Sequence, residues 1–142
     1  PRVRRQRQMC IRDRNDTVRL GLDALLGECP GLGGCIFLPG DQPLLRRESL
    51  ETMVRDFHAQ KETERVILRL GWRAGGAEPL LGSPVLFGSG HFDALRALPE
   101  GKGGGVVIRQ HPGCVRAVYA QSAEELEDAD TVERLEALKR FL

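Results

Sequence analysis

Residues 34–45, Gly-Cys-Ile-Phe-Leu-Pro-Gly-Asp-Gln-Pro-Leu-Leu, constrain the fold more than any other stretch of the chain. An apolar run from Cys35 to Leu38 stops abruptly at Pro39-Gly40 and delivers a carboxylate, Asp41, followed by Gln42-Pro43. A short apolar run closed by turn residues predicts a buried strand of a parallel sheet. In open α/β sheets, ligands sit just beyond the carboxyl ends of the strands. Asp41 is therefore either a turn residue, whose side chain bonds nearby amides, or a ligand for metal and substrate.

The rest of the chain supplies the partners that such a strand needs. Caps at Asn15, Asp16 and Thr17 precede Val18, Leu22, Leu25 and Leu26, which mark one face of a helix ending near Gly27. Gly21 inside that helix costs about 1 kcal/mol against alanine, so the helix needs tertiary support. A second helix is expected over Glu48–Ala59, with Leu50, Met53, Val54 and Phe57 inward and His58 on the solvated side. Arg65–Leu70 reads as a strand, Trp72–Gly76 as a loop and Pro79–Pro84 as a turn-rich stretch before a short strand, Val85–Phe87. His91–Leu98 is expected as a helix with Phe92, Leu95 and Leu98 inward. A glycine-rich turn over Pro99–Gly105 then leads into a helix at Val106–Arg109, which His111-Pro112 ends. Cys114–Ala120 reads as a strand, and Val132–Leu142 as a last helix with Val132, Leu135, Leu138 and Leu142 along one side. This order predicts a layered α/β sheet flanked by helices, with an antiparallel insertion.

The overall charge of +1 hides an uneven distribution. Of 21 Lys and Arg and 20 Asp and Glu, six Arg and one Asp fall in residues 1–14, leaving 15 basic against 19 acidic residues, a net −4. The body thus gives no electrostatic reason to expect nucleic acid as a partner. The Arg-rich head has no apolar core of a secretory signal. Met9-Cys10-Ile11-Arg12-Asp13-Arg14 resembles translated sequencing-adapter sequence, so residues 1–14 are expected to be non-native or disordered, with 15–142 as one domain. No apolar run is long enough to span a membrane. The cysteines (Cys10, Cys29, Cys35, Cys114) show neither CxxC nor zinc spacing, as expected of reduced thiols in a cytoplasmic protein.

Four segments, in order, carry a resemblance: Gly40-Asp41-Gln42-Pro43, Gly82-Ser83-Pro84-Val85-Leu86-Phe87, Glu100-Gly101-Lys102-Gly103-Gly104-Gly105 and Asp128-Ala129-Asp130-Thr131. Together they resemble the molybdenum-cofactor nucleotidyltransferase family, the MocA-like and MobA-like NTP transferases, over about residues 15–142. The resemblance implies a Rossmann-like, nucleotide-diphospho-sugar transferase-like sheet. The family's opening Ala-Ala-Gly-x-Ser-x-Arg-x-Gly pattern is absent, and so is the βα unit that carries it. The expectation is therefore the carboxy-terminal part of a longer nucleotidyltransferase, inactive by itself.

By this resemblance Asp41 is the catalytic residue and a ligand for Mg2+. Asp130, with Asp128 two residues before it, is the second carboxylate, although Asp130 or Thr131 serves equally well as a cap for the last helix. Gln42 and Pro43 shape the site. Gly82, Ser83 and Pro84 line the cofactor-substrate side, with Ser83 in place of the family's His or Asn. Lys102 and Gly103 match a Gly-Asp-Lys-Gly-type turn that can cradle phosphate by backbone amides. The implied substrates are an NTP, CTP or GTP, and molybdopterin, with a molybdenum hydroxylase as the eventual partner. A sugar-phosphate nucleotidyltransferase is a second enzymatic reading. A non-catalytic accessory protein that binds and delivers the cofactor is the alternative from another class.

Overall fold

The computed structural model describes residues 16–141; the head assigned to residues 1–14 lies outside them. Residues 16–28 form helix α1. Then follow β1 (Gly34–Phe37), α2 (Arg47–His58), β2 (Ile67–Trp72), β3 (Leu80–Gly88), α3 (Phe92–Arg96), α4 (Gly105–Gln110), β4 (Val115–Tyr119) and α5 (Val132–Leu138). The strands make one four-stranded sheet in the order β1-β3-β2-β4, so the chain is a mixed α/β protein. Among the described residues no helix is long and apolar enough to cross a membrane. Cys29 and Cys114 are free thiols.

The chain divides into two units, the first formed by residues up to 35 with 62–66 and 87–115, the second by 36–61, 67–86 and 116–142. In the first unit Leu22 of α1, Cys35, Val66, Phe87, Phe92, Leu95, Leu98 and Val107 are buried. Leu22 is the one residue of the expected α1 face that is fully enclosed, and Leu25 is 45% exposed. Two glycines set how closely this unit packs. A Cβ at Gly88 would collide with the Thr63 carbonyl, and one at Gly90 would lie 2.6 Å from the Glu64 carbonyl oxygen. The Gly88 and Gly90 amides donate instead to the Val66 and Glu64 carbonyls, at 2.9 and 2.8 Å.

In the second unit β2 has Ile67, Leu68, Leu70 and Gly71 buried in near succession, so both of its faces are covered. Helix α2 and the 3-10 turn Ala123–Leu126 pack on it. The buried line of α2 is Ser49, Met53 and Phe57. Val54, expected inward, is 41% exposed. The reason is that Ser49, one turn before Met53, is drawn in by a buried partner described below.

Three expected boundaries are corrected. Trp72 belongs to β2 rather than to a loop, and Leu80–Pro84 of the supposed turn over Pro79–Pro84 are the first half of β3. The seven residues between these neighbouring strands are too few for a parallel crossover, so β2 and β3 form an antiparallel hairpin. The Ala77 amide closes the loop onto the Ala74 carbonyl at 3.1 Å. Gly71 makes the hairpin possible, because a Cβ there would stand 2.8 Å from Leu81 Cδ2. The last helix is also shorter than expected: α5 ends at Leu138 and tightens into a 3-10 turn over Lys139–Phe141. Of its expected apolar side only Leu138 is buried, while Val132 and Leu135 are 75% and 40% exposed. Leu142 lies outside the described residues.

Candidate functional site

β1 ends at Phe37, and Asp41 follows on the turn beyond its carboxyl end, exposed to solvent. Its neighbour Gln42 is buried, and its side chain ties three segments of the second unit together. Gln42 Nε2 donates to the Ser83 carbonyl at 3.0 Å and to the Leu126 carbonyl at 3.4 Å. Two carbonyls on one side require the amide nitrogen there, which fixes the orientation of the side chain. Gln42 Oε1 is left buried without a hydrogen-bond partner. The Ala129 amide adds a second tie, donating to the Asp41 backbone carbonyl at 2.7 Å.

These bonds bring together segments far apart in sequence: Asp41-Gln42-Pro43, Gly82-Ser83-Pro84 and Asp128-Ala129-Asp130. Pro84 is buried, and the Ser83–Pro84 peptide is cis. Leu126 Cδ2 lies 3.5 Å from where a Gly82 Cβ would be, so the middle segment is covered by the chain that leads to Asp128. Asp128 and Asp130 are both exposed. The carboxyl of Asp128 is held above the usual carboxylate range, first by partial burial, then by the charge of Asp41 and then by that of Asp130. Asp41, Asp128 and Asp130 therefore form one electronegative surface. Among the described residues, however, no three His, Cys, Asp or Glu groups are arranged as a closed metal cluster. The helix-cap role considered for Asp130 or Thr131 falls to Thr131, whose Oγ1 accepts from the Arg134 amide at 3.0 Å.

Two residues that sequence reasoning passed over complete this unit. Glu125 is fully buried. Its Oε1 accepts from the Arg46 amide at 3.1 Å and from Ser49 Oγ at 2.6 Å, and its Oε2 accepts from the Gln121 amide at 2.9 Å. Arg46 is the cap residue of α2, which receives no side-chain hydrogen bond from its own cap. Glu125 thus does for α2 what the acidic member of a capping box does within one helix, and it puts negative charge at the helix N-terminus. Arg69, on β2, is half-buried, and its Nε and one terminal nitrogen donate to the Gly82 and Leu81 carbonyls at 3.3 and 3.4 Å. Desolvation lowers its pKa. It stands as a guanidinium beside the Gly82–Ser83 backbone.

Lys102 and Gly103 lie in the first unit. The Lys102 amide closes a turn onto the Pro99 carbonyl at 3.1 Å, and Gly101 takes a positive φ of 76° that a side chain would strain. Lys102 is exposed at the head of the short helix α4. His111 ends that helix as expected, its amide bonding the Ile108 carbonyl at 3.2 Å. The same unit holds an open cavity of about 210 Å3 lined in part by His91, His111 and Cys114. His91 is buried with Nε2 2.7 Å from the Arg65 carbonyl oxygen, to which it donates.

The sequence profile of the MobA-like NTP transferase domain matches residues 8–118. The chain belongs to the MobA-like NTP transferase domain family. That family is one of nucleotidyltransferases, which agrees with the resemblance carried by the Gly40–Pro43 turn and the Gly82–Phe87 segment. Comparison with curated protein sequences gave no match. Among solved structures the chain is similar in fold to the homologue of Mycobacterium tuberculosis Rv0371c from Mycobacterium sp. strain JC1, with a TM-score of 0.59 and 22% identity. The match covers 85% of this chain and 58% of that one, so the chain spans little more than half the length of this structural relative.

Proposed function

We propose that the protein of which this domain forms part is a Mg2+-dependent nucleotidyltransferase that transfers the nucleotide of CTP or GTP to molybdopterin, in the service of a molybdenum hydroxylase. The nucleotidyltransferase class rests on family membership. The observation that supports the chemistry is the meeting of Asp41 with Asp128 and Asp130: partial burial first, and then the charges of Asp41 and Asp130, raise the Asp128 pKa. A surface of crowded, exposed carboxylates suits a divalent cation, and magnesium takes one or two carboxylates together with substrate phosphates and waters. Asp41 and Asp130 would hold it, with Asp128 completing the negative surface. When bound, Mg2+ supplies charge neutralisation and orientation at the NTP phosphates.

The chain's own residues have separate tasks in this reading. Gln42 holds the Asp41 turn to the Gly82–Ser83–Pro84 segment, which lines the acceptor side. Pro43 limits the conformations open to the turn. Arg69 places a guanidinium next to that segment, where an anionic acceptor would find an unbalanced positive charge. Lys102 and Gly103 would offer a point charge and a backbone amide to phosphate. The sheet is read as Rossmann-like. Free thiols at Cys29 and Cys114 fit a cytoplasmic setting.

Pyrophosphate release by the full-length protein tests the proposal. Release from CTP or GTP that requires both Mg2+ and molybdopterin is the expected result. Release with a sugar phosphate in place of molybdopterin would shift the reading to the sugar-phosphate class. Tight binding of molybdopterin with no pyrophosphate formed from any NTP would make the protein an accessory binding module.

A further inference from the structure

We propose that Glu125 is a positioning residue that sets the cation affinity of the Asp41, Asp128 and Asp130 surface. The inference rests on the reading above that this surface takes a divalent cation. The 128–130 segment carries two carboxylates and is tied to the Asp41 turn by the Ala129 amide, and like charges gathered on one surface repel one another. Something must hold the segment in place before a cation neutralises it. The holding bonds are few: the Ala129 amide on the Asp41 carbonyl, Gln42 Nε2 on the Leu126 carbonyl, and the three bonds of Glu125.

Glu125 is the firmest of these anchors. Its carboxylate is fully buried and takes two amide donors and a hydroxyl, while the Leu126 bond is long at 3.4 Å. Oε1 locks the residue to the first turn of α2, and Oε2 closes the Gln121–Glu125 turn upon itself. The chain therefore leaves Leu126 in one direction, which brings Ala129 under the Asp41 carbonyl. The E125Q change keeps the shape but presents an NH2 group where a carboxylate oxygen accepted a hydrogen bond, so at least one amide or hydroxyl loses its acceptor. The strain falls on the segment that carries Asp128 and Asp130.

Amide hydrogen exchange at Ala129 and the affinity for Mn2+ alone, measured on the full chain, test this. In E125Q, Ala129 exchange should quicken and Mn2+ binding weaken, each by about tenfold or more, as for other residues that orient metal ligands. S49A, which removes one of the three bonds, should move both in the same direction by less. L138A, a core truncation in the same unit, should lower the melting temperature but leave both readouts at wild-type values. Wild-type exchange and Mn2+ affinity in E125Q would overturn the inference, as would equal losses in L138A. If the wild-type chain binds no Mn2+, the cation reading fails, and the Ala129 exchange comparison alone decides whether Glu125 positions the segment.

Discussion

Asp128 is ionised at a cost to the folded state, since partial burial and the charges of Asp41 and Asp130 all favour its neutral form. Because its folded pKa is raised, protonation of Asp128 stabilises the fold. That contribution is present below the ordinary carboxylate pKa and is lost as the pH rises through the raised value. Asp128→Asn should therefore melt at a higher temperature than the wild type at neutral pH, and the gap should close as the pH falls through the carboxylate range. Thermal melts across that range check it; an Asn variant that is less stable at neutral pH would show that Asp128 is held by favourable contacts instead. Asp41 was legible from sequence because the apolar run before it and the turn residues around it leave little choice of position. Glu125 was not legible. It sits in the acidic run Glu124, Glu125, Glu127, Asp128, where each residue looks solvated, and only the tertiary position of the Arg46 and Gln121 amides draws one of them inside.

At the scale of elements, glycines separate into those that hinder and those that permit. Gly21 lies within α1, and a Cβ there would meet nothing within 4 Å. Gly21→Ala should raise stability by about 1 kcal/mol through helix propensity and lower unfolded-state entropy. Gly88 at the end of β3 is the reverse case, because a Cβ there meets the Thr63 carbonyl. Gly88→Ala should lower stability by about 1–3 kcal/mol, the usual effect of overpacking. Chemical denaturation of both variants is the check, and opposite signs are expected. Helix α2 was readable from its apolar periodicity, and α4 from the glycine-rich turn before it and the His111-Pro112 stop after it. The start of β3 was misread because Gly82 and Pro84 are turn formers by local preference, whereas pairing with β2 makes them a strand. The last helix was overextended because Val132 and Leu135 have helical spacing but remain exposed.

For the whole molecule, the family profile gives the nucleotidyltransferase class, and the four-stranded sheet flanked by helices is similar in fold to the mycobacterial structure. Three of the four sequence segments that carry the resemblance, Gly40–Pro43, Gly82–Phe87 and Asp128–Thr131, contribute residues joined through Gln42 and the Asp41 backbone. Their convergence could not be read from sequence, since it depends on side-chain bonds spanning 41 and 84 residues. Mg2+-dependent pyrophosphate release by the full-length protein and its Asp41→Asn variant tests whether Asp41 carries the chemistry. The account predicts that the variant loses turnover by about three orders of magnitude or more, as when a reacting centre loses its main electrostatic support. It also predicts a melting temperature no lower than the wild type's, because Asp41 is exposed, the Ala129 amide bonds its backbone rather than its side chain, and loss of its charge relieves Asp128. Near-normal turnover in Asp41→Asn would contradict it.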